Sequence, residues 1–106
     1  MVIRYNEVDM GLEIVVPRRT PCLLASVLAQ LPGAGLTASV AMIDNVLQGP
    51  GARVPDVWRE VRLRTPAGVV TLRRQGEAIS VVVFGNADPA LQEAQRKIAE
   101  IVRTTP

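Results

Sequence analysis

Apolar and polar residues alternate near the start of the chain. The segment "VIRY" is short and rich in residues that favour strands, "NEVDMG" is typical of a turn, and "LEIVV" follows. Apolar residues occupy every second position from Met10 through Leu12 and Ile14 to Val16, which is the period of a strand with one buried face. Pro17 ends the segment because proline has no N–H to donate to a neighbouring strand. The pattern predicts two paired strands.

The stretch from Thr20 to Ile43 holds 24 residues and no charge. Thr20 is a suitable N-cap, and Pro21 suits the first position of a helix. Pro32 and Gly33 interrupt the helical pattern, and a second helical piece is expected over residues 38–48, closed by "GPG". The pattern leaves open whether Pro32 and Gly33 kink one helix or separate two.

A helix that is apolar all round needs an apolar cover, which lipid, a sheet or a second copy of the chain can supply. A bilayer requires about 20 apolar residues in one helix. Gln30 and the break at Pro32 argue against a membrane, because each half is too short to cross it. We therefore expect a helical layer covered by the sheet on one side and by another copy of the chain on the other.

The second half of the chain predicts three antiparallel strands. The first runs from Val57 to Thr65, with alternate residues on opposite faces. One face carries Val57, Val61 and Leu63, and the other carries Trp58, Glu60, Arg62 and Arg64. The segments "VVTLRR" and "AISVVVF" follow through short turns. The last segment is apolar on both faces, so we expect it near the centre of the sheet.

The chain closes with an amphipathic helix. Asp88 is the expected N-cap and Pro89 the first helical residue. The apolar stripe consists of Leu91, Ala94, Ile98, Ile101 and Val102. The predicted fold class is therefore α+β, a single domain over residues 1–106. Its element order is ββ-α-βββ-α, with helices packed on an antiparallel sheet of about five strands.

Charge and cysteine content narrow the function further. The net charge of +2 is too small to attract nucleic acid or anionic lipid strongly, although eleven of the twelve basic residues are arginine. The single cysteine, Cys22, excludes an internal disulfide. Arg4, Glu7 and Asp9 interrupt any signal-peptide pattern. Together these features predict a cytoplasmic protein.

The chain contains no histidine, which excludes Ser–His and Cys–His nucleophile pairs and histidine zinc sites. Cys22 is interpreted as a buried small hydrophobe in preference to a nucleophile, and Glu7 with Asp9 as solvated carboxylates in preference to a cation site. "GAGLTA" at residues 33–38 fits a dinucleotide pattern, but a helix precedes it where the motif requires a strand. We expect no catalytic residue, no metal and no cofactor.

Five arginines lie in adjacent predicted strands: Arg59, Arg62, Arg64, Arg73 and Arg74. Arg62 and Arg64 are predicted to share a face with Trp58. Such a face is solvated, contacts a protein, or binds phosphates. Asp44 is a lone charge in an apolar segment, and the pattern does not decide between a buried ion pair and the solvent side.

The segment "WREVRLRTPAGVVTLRRQGEAISVVVFGNADPALQEAQRKIAEIV" resembles the roadblock/LC7 family of small α/β proteins, which have three such strands followed by a last helix. The resemblance implies a five-stranded sheet and dimerisation through the central helix and the strand after it. It also implies a role as a scaffold or as a regulator of small GTPases.

The function predicted from the sequence is that of a non-enzymatic, homo-oligomeric interaction module, whose partners are a second copy of the chain and, from the resemblance, a small GTPase. The predicted interface consists of Leu24, Leu28, Val40, Ile43, Leu47 and Trp58. The alternative is a nucleic-acid-binding domain that uses the arginine face, although the charge balance argues against it. A third hypothesis is a small ligand-binding domain with a pocket under the helical layer.

Overall fold

A computed structural model describes residues 1–7, 10–18, 22–51, 53–85 and 88–105, and shows two helices and one seven-stranded antiparallel sheet. The strands are β1 (Val2–Asn6), β2 (Gly11–Pro17), β3 (Ser39–Ile43), β4 (Val46–Leu47), β5 (Glu60–Thr65), β6 (Gly68–Gln75) and β7 (Ala78–Phe84). The helices are α1 (Leu24–Gln30) and α2 (Pro89–Thr104). The order across the sheet is β1-β2-β7-β6-β5-β3-β4, so β1 and β4 are its edges.

The first two strands form the predicted antiparallel pair, and Pro17 is the last residue of β2. Leu12, Ile14 and Val16 face the helices, as their alternation predicts. Gly11 begins β2 where the chain passes close to β7. A Cβ at this position would lie 2.2 Å from the carbonyl oxygen of Val83, so the close approach of the two strands requires glycine.

The second predicted helix, over residues 38–48, is wrong, because this segment forms β3 and β4. Asp44 and Asn45 make the two-residue turn between them, with φ values of 49° and 66°. Aspartate and asparagine tolerate this left-handed conformation better than most residues, and a two-residue turn with both φ values positive matches the twist of a hairpin. The extra hairpin is why the sheet has seven strands and not about five.

The first helix is shorter than predicted. Thr20 and Pro21, the expected cap and first residue, lie outside the described residues. Pro32 opens a short 3₁₀ turn, Pro32–Ala34, and Gly35 follows it with a φ of 75°. Pro32 and Gly33 therefore neither kink one helix nor separate two, because they end α1 and lead the chain into a strand.

The last four elements agree with their prediction, except that β5 begins at Glu60, three residues later than expected. The strand β7 lies between β2 and β6, inside the sheet. The carboxylate of Asp88 accepts a hydrogen bond from the backbone N of Leu91 at 2.8 Å, which is the expected N-cap of α2.

Both helices pack on the same side of the sheet. Gln95 of α2 donates its side-chain amide to the carbonyl oxygens of Leu12 (3.0 Å) and Val81 (2.9 Å), which ties the helix to β2 and β7. Arg18, just after β2, donates to the carbonyl oxygens of Val102 and Thr105 at the end of α2. A cation at this end of a helix also meets the negative pole of its dipole.

Candidate functional site on the helix-free face

The opposite face of the sheet carries no described helix, and we call it the helix-free face. The strand registers place one row of side chains across all seven strands on this face. The row consists of Arg4, Glu13, Val82, Thr71, Arg62, Met42 and Leu47. Since neighbouring residues of a strand point to opposite faces, residues next to this row, such as Ile14 and Val81, face the helices.

Two glutamates on the helix-free face are held by arginines. The side chain of Glu13 is only 1% exposed, and its carboxylate accepts hydrogen bonds from Arg4 Nε at 2.7 Å and Asn6 Nδ2 at 3.4 Å. Glu60 bridges two arginines, at 3.2 Å from Arg62 Nε and 3.1 Å from Arg73 Nε. A buried carboxylate needs such partners, because desolvation would otherwise disfavour its charge.

The strand residues of the helix-free face also carry an excess of positive charge. Four arginines (Arg4, Arg62, Arg64 and Arg73) face two glutamates, which leaves a surplus of two positive charges, equal to the net charge of the whole chain. Arg64 is exposed, and its guanidinium makes no hydrogen bond or ion pair to any residue that the structure describes. The excess charge of the molecule is therefore concentrated on one face.

Two hydroxyl groups on this face are buried without a hydrogen-bond partner among the described residues: Thr71 Oγ1 and Ser80 Oγ. Arg73 lies opposite Ser80 in the sheet, and its guanidinium carbon is 5.5 Å from the centre of the Phe84 ring. Because Val82 lies between Ser80 and Phe84 on the same face, the arginine and the ring meet above it. This contact explains why Val82 is fully buried without a helix over it.

A groove of about 440 Å³ opens on the helix-free face beside these groups. Its apolar walls are Met42, Leu47, Val69 and Phe84. Thr71, Arg62 and Arg64 supply its polar groups. The groove thus combines exposed apolar side chains with two guanidinium groups and a buried hydroxyl.

A second groove, also of about 440 Å³, lies between α1 and the edge of β3. Leu28, Val40, Ile43 and Arg64 line it, together with the segment 48–51. The structure therefore brings together three of the six residues predicted for an oligomer interface.

The other three predicted interface residues lie apart. Leu24 and Trp58 belong to the interior, with exposed fractions of 0% and 1%, while Leu47 is 76% exposed on the helix-free face. The indole of Trp58 donates to the carbonyl oxygen of Cys22 at 3.4 Å, and the guanidinium of Arg74 lies 5.1 Å from its ring centre. Leu24 and Trp58 are therefore covered by residues of their own chain.

The prediction that Trp58 shares a face with Arg62 and Arg64 is wrong. Since β5 begins at Glu60, the alternation of that strand does not extend back to residue 58, and the indole turns into the core.

The five arginines predicted to lie in adjacent strands do not all lie on one face of the sheet. Arg62, Arg64 and Arg73 lie on the helix-free face, whereas Arg74 contacts Trp58 on the helix side. Arg59 is exposed and precedes β5. Three of the five arginines therefore form one surface, and two of those three share the carboxylate of Glu60.

Asp44 lies on the solvent side, which answers the question that the sequence left open. Its carboxylate accepts hydrogen bonds from the backbone N of Arg59 and of Glu60, each at 2.8 Å. These bonds, the one from Glu60 first, lower the pKa of Asp44 below its ordinary value. The residue joins the β3–β4 turn to the start of β5.

Cys22 is buried two residues before α1. Burial raises the pKa of its thiol, and the nearby charges of Arg18 and Arg74 oppose that rise only in part. The prediction that Cys22 is a buried residue is therefore confirmed.

Other sequence patterns gain no support as ligand sites. Within the described ranges, no three side chains of cysteine, aspartate or glutamate come together as a metal site requires. Of Glu7 and Asp9, the two carboxylates considered above for a cation site, Asp9 lies outside those ranges. The glycines of "GAGLTA" lead into β3, so no helix N-terminus follows them to receive a pyrophosphate. Neither of the two described helices is long and apolar enough to cross a bilayer.

Comparisons with protein-family models, with curated proteins and with solved structures gave no match. The resemblance to the roadblock/LC7 family therefore stays a prediction.

Proposed function

We propose that this chain is a non-enzymatic interaction module that associates with a second copy of itself through strand β1. One observation carries the proposal: among the described strands β1 is an outermost one that pairs with β2 alone, and its Ile3 and Tyr5 are 63% and 57% exposed. An apolar edge strand of five residues presents unpaired backbone groups to any similar strand.

No charged side chain of β1 lies on the helix side of this edge strand, where a charge would discourage pairing with another strand. Its one charged residue, Arg4, points to the helix-free face, where it pairs with Glu13. Ile3 and Tyr5 point to the helix side, beyond the area that the helices cover. Antiparallel pairing of two β1 strands satisfies their outer backbone groups and brings these aliphatic and aromatic side chains together, which adds cross-strand stabilisation.

The available titratable groups support a non-enzymatic role. The chain has no histidine, and its one thiol is buried with a raised pKa. Glu13 and Glu60 are held in ion pairs with arginines of the same sheet, an arrangement that also serves structure.

The roadblock/LC7 resemblance adds two elements to the proposal. It supports dimerisation, although through the central segment, where the groove lined by Leu28, Val40 and Ile43 is the second candidate surface. It also makes a small GTPase the candidate for a further partner, in the cytoplasm.

The proposal is tested by light scattering coupled to size-exclusion chromatography at high micromolar concentration. We expect a mass of twice 11.4 kDa for the wild-type chain. Ile3→Lys places a charge on the apolar side of the edge and should give a monomer, with an unchanged circular dichroism spectrum because Ile3 is exposed.

Val69→Lys is the matched control, since it adds the same charge on the helix-free face and should leave the dimer intact. A monomeric wild-type chain, or a dimer that persists in Ile3→Lys, would overturn the assignment to β1.

Nucleic acid binding is the second candidate, because Arg62, Arg64 and Arg73 lie on one positively charged face. Phosphate contacts release counterions, so retention on a nucleic-acid column should fall steeply with added salt. Absence of retention at low salt would end this candidate.

A further inference from the structure

We infer that the groove on the helix-free face binds a small amphipathic carboxylate, a molecule with one acid group and an aliphatic tail. The inference is independent of the proposed dimer, because β1 forms one edge of the sheet and the groove lies toward the opposite edge, over β6, β5 and the β3–β4 hairpin.

The polar groups of the groove can hold a carboxylate. Thr71 and Arg62 are direct cross-strand neighbours, and Arg64 lies two residues further along the same face of β5. Guanidinium groups bind carboxylates through paired, charge-assisted hydrogen bonds. Arg64 has no partner among the described residues, so its charge is available to a ligand.

The hydroxyl of Thr71 is the second observation that points to a ligand. It lines the groove, it is buried, and it has no hydrogen-bond partner among the described residues. Buried polar atoms are nearly always hydrogen-bonded, because an unpaired one has lost its bonds to water without replacement. Since this hydroxyl is shielded from solvent in the free chain, a carboxylate oxygen beside Arg62 can accept a hydrogen bond from it once the side chains that cover it shift on binding.

The tail is received by apolar side chains on both sides of the polar groups. Val69 and Phe84 lie on one side, and Met42 and Leu47 on the other. Three of these four are exposed in the free chain: Leu47, Val69 and Phe84. A volume of about 440 Å³ falls within the range of about 300–1,000 Å³ typical of small-ligand sites.

The walls of the groove favour a monoanion with an aliphatic tail over a polyphosphate. Glu60 pairs with both Arg62 and Arg73, which leaves one positive charge on these three residues, and Arg64 adds a second. One carboxylate can contact the guanidinium groups of Arg62 and Arg64 together, and an apolar tail suits the walls better than a sugar or a second phosphate does.

Isothermal titration calorimetry with decanoate and with decyltrimethylammonium tests the inference, because the two probes share a tail and differ in the sign of the head group. We expect saturable binding of one decanoate per chain, and at least tenfold weaker binding of the cation. Arg64→Gln should weaken decanoate binding about tenfold, the factor that corresponds to losing one charge-assisted hydrogen bond.

Two further variants distinguish binding in the groove from nonspecific electrostatic attraction to arginine side chains. Arg59→Gln removes an exposed arginine outside the groove and should leave decanoate affinity unchanged. Thr71→Val should weaken binding about threefold without lowering the stability of the free chain, because its hydroxyl has no described partner to lose.

Equal affinity for the two probes, no decanoate binding, or equal loss in Arg64→Gln and Arg59→Gln would overturn the inference. Amide chemical shift changes on adding decanoate should fall on β5, β6 and the β3–β4 hairpin, and changes centred on the groove beside α1 would place the ligand elsewhere.

Discussion

The two faces of the sheet are built from the same strands and have opposite character. The helix-covered face is apolar and its polar groups are bonded: the buried amide of Gln95 reaches two carbonyl oxygens. The helix-free face has buried hydroxyls without described partners, ion pairs and exposed apolar side chains. The helix-covered face therefore holds the core that stabilises the fold, and the helix-free face keeps the groove to which we assign ligand binding.

The central strands show how one segment serves both purposes. On β6, Leu72 faces the helices and the adjacent Thr71 faces the groove, and on β7 Val81 faces the helices and the adjacent Ser80 lies on the helix-free face. Because side chains alternate with a period of two, a substitution at one position changes one face and leaves the other in place. This separation makes matched substitutions on the two faces informative.

Leucine truncation should give the largest contrast between the faces. Leu72→Ala removes a fully buried side chain from the helix-covered face, which should lower the free energy of unfolding by about 3 kcal/mol. Leu47→Ala removes an exposed side chain from the helix-free face and should lower it by less than about 0.5 kcal/mol. Urea unfolding measures both, and equal losses would show that a partner layer covers the helix-free face.

Gly11→Ala should come next, because the added Cβ would lie 2.2 Å from a backbone oxygen of β7 and the two strands must separate to admit it. We expect a loss of about 2 kcal/mol in the free energy of unfolding. Gly49→Ala is the control, since no atom lies near its Cβ, and thermal unfolding should find it close to wild type. A neutral Gly11→Ala would mean that β2 and β7 are less closely paired than described.

The parts of the fold that the sequence predicts correctly are those with local signals. Alternation from Leu12 to Val16 marks β2, and the Asp88-Pro89 pair marks the start of α2. The β3–β4 hairpin was not predicted, because short apolar runs do not distinguish a helix from a strand. The missed signal was Asp44-Asn45, two residues that tolerate a left-handed turn, between the β-prone pairs "MI" and "VL".

The candidate site was harder to predict because it depends on register between distant strands. Arg62 meets Thr71 only through the pairing of β5 with β6, and Glu13 meets Arg4 only through that of β1 with β2. Local patterns gave each residue a face within its own strand. For Trp58 even that failed, because the strand began later than the alternation suggested.

Threonine-to-valine substitutions on the two faces should change the free energy of unfolding in different directions. The hydroxyl of Thr65, on the helix side, donates to the carbonyl oxygen of Gly68 at 2.8 Å and accepts from two backbone N–H groups. Thr65→Val should therefore lower the free energy of unfolding by about 1.5 kcal/mol. Thr71→Val should leave it unchanged or raise it by up to about 1 kcal/mol, because a buried hydroxyl without a described partner is replaced by a methyl group. Destabilisation by Thr71→Val in urea unfolding would indicate a bound water or another partner for that hydroxyl.

The smallest expected effect concerns Asp44, which anchors the hairpin that carries Leu47 to the helix-free face. The pKa of Asp44 is lowered in the folded chain, so its charged form adds stability above the ordinary value of 3.8, and this contribution is lost as the pH falls through the lower folded value. Asp44→Asn keeps an oxygen that can accept both backbone bonds and tolerates the left-handed turn, but it has no charge to lose. The variant should be less stable than wild type by about 0.5 kcal/mol at neutral pH, a small value because the site is exposed, and the difference should vanish at low pH.

Asp56→Asn is the control for that comparison. It removes another exposed carboxylate, one that makes no hydrogen bond to any described residue, so it measures the effect of losing one surface charge alone. Thermal unfolding between neutral pH and about pH 3 gives both curves, a range set by the ordinary pKa of aspartate. An Asp44→Asn difference that stays constant over this range would mean that the charge of Asp44 adds nothing to stability, and that its bonds to the backbone N of Arg59 and Glu60 do not depend on ionisation. The β3–β4 hairpin would then be held in place without a contribution from this charge, and it would stay at the edge of the sheet at low pH.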